Sequence, residues 1–451
     1  MKKERLVVIG GDAAGMSAAS QAKRRRPELD IVVFERGPHV SYSACGIPYY
    51  IGGLVDSEQK LIVRTPEKFR ERDGIDVRTM HEVQEIDAAG RKVRVRDLNS
   101  GKNAWEPYGQ LLIATGAAPV CPDLPGADAV DICGVNTLES GLAIRRRLDK
   151  GGIERGVVVG GGYIGLEMAE ALIRKGVEIS LINRSAQVMA TLDEDMGALV
   201  SQVLRDLGVT LYLEEELTAF ETKAGKLTGI VTDKRTLPAD LVILGLGVRP
   251  NTELAAAAGI PLGDKGAIRV NERMETGIAG IWAAGDCAES FHLVSRKPFY
   301  IALGTVANRH GRVAGINLGG GYATFPGVMG TAVTKICQLE IARTGLQEKE
   351  LAKLGIEWVS AVIKSRTKAG YYPDAGDITV KLLAERGSGR LLGGQIVGAE
   401  GSAKRIDTLA TALHAGFNVE EMINLDLGYA PPFSPVWDPV VIAAREVAKK
   451  L

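Results

Sequence analysis

Leu6-Val7-Val8-Ile9-Gly10-Gly11-Asp12-Ala13-Ala14-Gly15 is echoed about 150 residues later by Val157-Val158-Val159-Gly160-Gly161-Gly162-Tyr163-Ile164-Gly165. Each stretch reads as an apolar strand, a glycine turn and the start of a helix, the opening of a βαβ unit. Glycines there let the chain turn tightly and let backbone N–H groups approach a pyrophosphate lying at the positive end of the helix. One such loop is weak evidence. Two in one chain predict an α/β protein with a pair of Rossmann-like dinucleotide-binding domains, one for a flavin and one for a nicotinamide, against the plainer reading of two nucleotide-free sheets. Gly10, Ala13, Ala14 and Gly15 are the candidate contacts in the first loop; Gly160, Gly162, Tyr163, Ile164 and Gly165 are those in the second.

Outward from the first loop, the strand Ile31–Phe34 ends at Glu35, about 20 residues past Gly15, where a ribose hydroxyl is usually held. Asp12 replaces the middle glycine of the fingerprint. Because a carboxylate repels a pyrophosphate, Asp12 is predicted to point away from it. Leu111–Thr115 reads as a strand ending at Gly116, and Pro119, Pro122 and Pro125 then punctuate a crossing. The predicted organisation is 1–119 for the first part of the flavin domain, 120–239 for the nicotinamide domain, 240–324 for the return to the flavin domain and 325–451 for a C-terminal α+β domain. That last region shows strands with polar alternation at 378–383 and 391–397 and a helix over 403–415.

The 451 residues exceed what one core organises. Basic and acidic residues both number 55, so nothing draws the chain to nucleic acid or to an anionic membrane. Five cysteines without a metal-ligand spacing imply neither a disulfide framework nor a metal site, and a cytoplasmic setting is expected; no signal peptide and no membrane span are predicted. Cys45, in Ser41-Tyr42-Ser43-Ala44-Cys45-Gly46-Ile47-Pro48-Tyr49, stands apart from the other four. Pro48 suits the first turn of a helix, whose N-terminus is expected to lower the thiol pKa. No second cysteine follows within a few residues, so one sulfur works alone, as a thiolate cycling to a sulfenic acid or a mixed disulfide.

With the two glycine loops, this cysteine segment, Ala114-Thr115-Gly116, Ala284-Gly285-Asp286 and Tyr429-Ala430-Pro431-Pro432, the chain resembles over its whole length the single-cysteine branch of the flavoprotein disulfide reductases. The resemblance implies FAD, with Asp286 on its ribitol, Glu35 on its adenosine ribose, and Arg36, Ser43, Val83, Ala114, Thr115 and Gly116 around it. For NADH or NADPH it adds Asn183, Arg184 and Gly247 to the second loop. Asn183 stands where an NAD site presents an acid, which favours NADPH.

The resemblance also implies a homodimer formed by the third domain. Ala13 occupies the position where the oxidases and peroxidases of that branch have histidine, and loss of that histidine is what its coenzyme A disulfide reductases show. Those enzymes place two tyrosines near the partner's cysteine, here Tyr371 and Tyr429. Ser17, Gln21, Arg24 and Ser41 match positions that contact coenzyme A; Ala44 stands where asparagine is common. The implied reaction is reduction of coenzyme A disulfide, or a related small disulfide, through Cys45–S–S–CoA. An NADH oxidase, a persulfide or polysulfide reductase and a redox-sensing flavoprotein are the alternatives, and no rhodanese domain for sulfur transfer is expected within these residues.

Overall fold

The computed structural model describes residues 4–451. Its sequence duplication is a structural one. In the first unit five parallel strands stand in the order 281–283, 110–113, 5–9, 30–34, 76–78; in the second the order is 132–134, 241–244, 155–159, 178–183, 210–213. Each glycine-loop strand occupies the centre of its sheet and feeds a helix, Ala13–Arg25 or Tyr163–Arg174. Each unit also carries a three-stranded antiparallel sheet.

Centrality explains the strand composition. Val7, Val8, Val158 and Leu111 are fully covered on both faces, so they are apolar without alternation. The pairing also corrects one boundary. The strand Leu241–Leu244 lies between 155–159 and 132–134 in the second sheet, not in the first. The chain crosses back at Val248–Pro250, which pairs antiparallel with the outgoing crossing Ala117–Pro119, a few residues beyond the expected 240.

The C-terminal region is a five-stranded antiparallel sheet, 332–336, 339–345, 391–398, 377–385, 358–366, backed by the helices Ile406–Ala415 and Pro439–Ala448. The predicted helix from 403 starts with a 3₁₀ turn, Ala403–Arg405. The predicted polar alternation is absent from two of its inner strands, because Asp377–Glu385 and Leu391–Gly398 are buried almost throughout. Their polar residues serve a contact instead. Lys381, 2% exposed, places Nζ 3.1 Å from Asp193, 2.9 Å from Asp195 and 3.2 Å from Glu348. Gln395 donates to Asp193 Oδ2 at 2.7 Å and accepts from the Asp193 N–H at 2.8 Å. Asp193 and Asp195 begin a helix of the second unit, so this cluster clamps that unit to the C-terminal sheet.

Removing the cation from such a cluster leaves the buried Asp193 carboxylate uncompensated beside the partly exposed Asp195 and Glu348. Lys381→Met is expected to destabilise the protein by about 3–5 kcal/mol, measured by urea unfolding, whereas a change below about 1 kcal/mol would mean that solvent reaches the cluster.

Candidate functional site

The site begins with two matching close approaches. Gly10 has φ +104° and Gly160 φ +100°; a Cβ on either would lie 2.1 Å from the Ala114 carbonyl oxygen or 2.4 Å from that of Gly245. Behind them, a Cβ on Gly15 or Gly165 would meet the carbonyl oxygen of Gly10 or Gly160 at 2.0 Å. Only glycine permits this packing of strand, loop and helix. Gly15, Gly165 and Ala14 therefore sit beneath the loops and do not line the cleft. Ala14 instead receives Gly285, whose added Cβ would fall 2.7 Å from the alanine methyl.

One cleft of about 2620 Å³ joins the two loops. A typical single-ligand pocket holds roughly 300–1,000 Å³, so this one has room for more than one large ligand. Gly10, Ala13, Glu35, Arg36, Ser43 and Val83 line its first half, with Ala114, Thr115, Gly116 and Asp286. Gly160, Gly162, Tyr163, Ile164, Asn183 and Arg184 line the second, with Gly247. Between them lies Cys45, bordered by Ser41 and Ala44 and by Ser17, Gln21 and Arg24 on the first helix. Tyr371 and Tyr429 do not line the cleft of their own protomer. They lie beside each other on an exposed face, Tyr371 78% and Tyr429 47% accessible, and the Tyr371 phenol raises the pKa of Tyr429.

The strand-end residues repeat each other as well. Glu35 accepts from the Gly11 N–H at 2.8 Å and the Gly37 N–H at 2.7 Å. Asn183 accepts from the Gly161 N–H at 3.1 Å and donates to the carbonyls of Ser185 and Gln187 at 3.1 and 2.8 Å. Its amide is thus fully engaged within the chain. Arg184 is 81% exposed on the cleft wall, and its nearest acid is Glu216 at 3.7 Å.

The thiol's electrostatics differ from expectation. Cys45 sits in the 3₁₀ turn Ala44–Gly46 ahead of a five-residue helix, Ile47–Ile51. It is open to the cleft, but the walls crowd it. Desolvation first, and then the charges of Glu167, Asp286 and Asp12, push its pKa up, so the short helix does not produce the lowering predicted from sequence. A longer helix, Gly304–Leu318, starts close by: a Cβ on Gly304 would be 3.9 Å from Cys45 Sγ. Sequence reading missed that helix and Glu167. The helix had a legible signal in Gly304, Gly311 and Gly315, since Cβ atoms on the last two would strike the carbonyls of Ala14 and Ala18 at 2.3 and 2.4 Å.

Asp12 and Asp286 are both raised to about 6, mainly by burial. Each leaves its Oδ1 buried with no partner among the described residues. Asp12 lines the cleft, against the expectation that it points away, and burial lets its carboxyl take up a proton below about pH 6, which weakens its repulsion of a pyrophosphate. An orphaned carboxyl oxygen at Asp286, beside a glycine cradle, fits a flavin dinucleotide whose polyol hydroxyls supply the missing donor. The residues present suit the group.

A carboxyl whose value stands near 6 when folded and 3.8 when unfolded binds its proton more tightly in the native state. Its burial is harmless at low pH and costs stability as pH rises from about 4 through 6. Asp286→Asn should therefore stabilise the apoprotein by about 1–3 kcal/mol at neutral pH and by nothing near pH 4, while weakening FAD retention. Thermal unfolding of the apoprotein at both pH values checks this; an equal effect at the two would show that Asp286 is not the titrating group.

Comparison with known proteins gives the same picture. Residues 4–311 match the pyridine nucleotide-disulphide oxidoreductase family, and residues 331–439 match its dimerisation domain. The NAD(P)H sulfur oxidoreductase (CoA-dependent) of Pyrococcus furiosus is 41% identical over 446 residues, 99% of each chain. The reduced CoADR-RHD of Bacillus anthracis superimposes with a TM-score of 0.96 at 34% identity, covering 100% of this chain and 81% of that one. An engineered water-forming NADPH oxidase bound to NADPH, derived from the Lactobacillus brevis NADH oxidase, has a TM-score of 0.94 at 29% identity over 99% and 98% of the two chains. Its substitutions include aspartate to alanine, followed at the next two positions by alanine to arginine and methionine to serine. No helix among the described residues is long and apolar enough to cross a membrane, and no group of His, Cys, Asp and Glu there could hold a metal ion. Two glycine-cradled sheets, one thiol in the cleft between them and a matching C-terminal sheet together place the chain in the pyridine nucleotide-disulphide oxidoreductase family, enzymes of the disulfide reductase type that use FAD and NAD(P)H.

Proposed function

We propose that this enzyme is a homodimer that reduces a sulfur–sulfur bond of coenzyme A through Cys45, with coenzyme A disulfide as the substrate. The observation that carries the reading is that Cys45 is the one cysteine lining the cleft, among the described residues, with Ser17, Gln21 and Arg24 beside it. Arg24, near the outer end of its helix, offers a planar fork of donors to a phosphate of coenzyme A, and Gln21 steadies it at 3.3 Å. Ser17 is engaged by Asn308 at 2.9 Å, which brings the longer helix into the same wall.

The Cys45 thiolate attacks one sulfur of the disulfide, forming Cys45–S–S–CoA and releasing one coenzyme A thiolate. A phenol from Tyr371 or Tyr429 of a second copy donates a proton to that thiolate. The exposed face bearing both tyrosines also presents Phe433, Val436 and Trp437, an apolar surface suited to a partner subunit. FAD, when bound, supplies passage of an electron pair from the reduced nicotinamide to the Cys45 disulfide. A relative from Pyrococcus horikoshii, 41% identical over 444 residues and named NAD(P)H coenzyme A polysulfide/persulfide reductase, supports a second reading in which the bond reduced is a coenzyme A persulfide.

Cys45→Ser should keep FAD bound and lower disulfide reduction by several orders of magnitude; retention of more than about a tenth of the activity rejects the assignment. Tyr371→Phe and Tyr429→Phe should leave flavin reduction by nicotinamide intact in stopped-flow traces and slow thiol release. Comparing kcat/KM for coenzyme A disulfide and persulfide decides between the two readings.

NADPH is the proposed donor. Asn183-Arg184-Ser185 presents a neutral residue, an arginine and a serine, the order introduced into the engineered NADPH oxidase. An exposed pair such as Arg184 with Glu216 is weak, which leaves the guanidinium available to a 2′-phosphate. Arg184→Ala should lower kcat/KM for NADPH by about 10–100-fold and leave NADH within about threefold. Equal losses for both nucleotides would show that Arg184 does not read the 2′ position.

A further inference from the structure

Glu167 lies one helical turn beyond Tyr163, on a cleft-lining face of the second-unit helix. The segment that carries Cys45 continues into Ile47–Ile51, which packs on that helix: Gly52, at its end, would bring a Cβ within 3.1 Å of the Ala171 Cα. Cys45 stands in the turn just before one of these two contacting helices and Glu167 on the other, and both line the cleft. Their carboxylate neighbourhoods differ. Glu170, three residues on, is saturated by Lys335 at 2.9 and 3.2 Å and by the Cys337 N–H at 2.8 Å. Glu167 has a single hydrogen-bond partner among the described residues, the Thr334 hydroxyl at 3.0 Å, and no paired cation.

We propose that Glu167 is the proton-holding partner of Cys45, so that carboxyl and thiol together carry one negative charge throughout turnover. This deepens the function proposed above and rests on Cys45 being the nucleophile. While Cys45 is tied in a mixed disulfide, the charge sits on Glu167. When two electrons from the reduced nicotinamide cleave that disulfide, Cys45 leaves as thiolate, Glu167 takes one proton and the departing thiolate takes another. The hydride supplies one of these protons and solvent the other, so atoms and charge balance. When Cys45 attacks the next disulfide, Glu167 returns to carboxylate, and its proton replaces the one that the phenol gives to the released thiolate.

The surroundings agree in sign. Burial raises Glu167, the Thr334 hydrogen bond opposes it, and Glu170 and Lys335 act on it in opposite directions. Glu167 is the first charge to raise Cys45, ahead of Asp286 and Asp12, and it also raises Tyr49 beside the thiol. The ionised Glu167 carboxylate thus disfavours the Cys45 thiolate, and a proton on Glu167 relieves that repulsion.

The test is the pH profile of Cys45 alkylation in the FAD-loaded enzyme, freed of adducts with dithiothreitol, desalted, treated with iodoacetamide and read by peptide mass spectrometry. Glu167→Gln should move the profile down by about one pH unit, raising neutral-pH alkylation about tenfold, while kcat for disulfide reduction falls because the proton acceptor is gone. Thr334→Val removes the hydroxyl that favours the ionised carboxyl and should also accelerate alkylation at neutral pH; it carries the test if Glu167→Gln loses FAD. Glu167→Asp should restore the wild-type profile. Wild-type alkylation rates in both Glu167→Gln and Thr334→Val overturn the proposal, and faster alkylation with unchanged kcat overturns the proton transfer. Failure of the functional reading is separate, and would show as wild-type enzyme that keeps its disulfide reductase activity after Cys45 is fully alkylated.

Discussion

The closeness with which a neighbouring strand end approaches each glycine loop governs the molecule. At Gly10 and Gly160 a carbonyl oxygen occupies the place of a side chain, and at Gly15 and Gly165 the following helix sits directly on the loop it leaves. That packing aims the helix N-terminus and its free N–H groups at the cleft. It also explains why the two units superimpose in strand order although their remaining sequence has diverged. Any side chain at these points pushes strand from helix, and the cleft loses its floor.

The thiol sits at the seam between the units. Its turn belongs to the first unit by sequence, but Ile47 and Ile51 pack with Leu138, Leu166 and Ala169 of the second. A Cβ on Gly141 would lie 2.4 Å from Ile47, so the contact is tight. Cys45 is thereby held between the two glycine loops, within reach of ligands from both. The Lys381 cluster completes the arrangement by tying the second unit to the C-terminal sheet, which offers the Tyr371 and Tyr429 face outward.

Charge in the cleft is managed by burial. Asp12, Asp286, Glu35 and Glu167 are all raised, and each ionises less readily than a free carboxyl. A cleft meant for pyrophosphates and a thiolate contains acids that are easily neutralised. The same burial raises Cys45, so its reactivity depends on the protonation of its neighbours more than on the short helix that follows it.

The sequence alone carried the fold class, because apolar strands feeding glycine turns obey local rules: φ near +100° and the absence of a Cβ are demands on single residues. It also singled out Cys45, Glu35 and Asp286, each marked by a nearby glycine or strand end. Long-range contact decided the rest. Strand Leu241–Leu244 joined the second sheet through its neighbours, since its own composition suits either. Lys381 and Gln395 looked like the solvent face of a strand, and only the sheet's position against Asp193 shows them buried. Glu167 was invisible for the same reason. A lone glutamate on a helix acquires meaning from the thiol and the Thr334 strand brought to it by folding, and no local pattern encodes that distance.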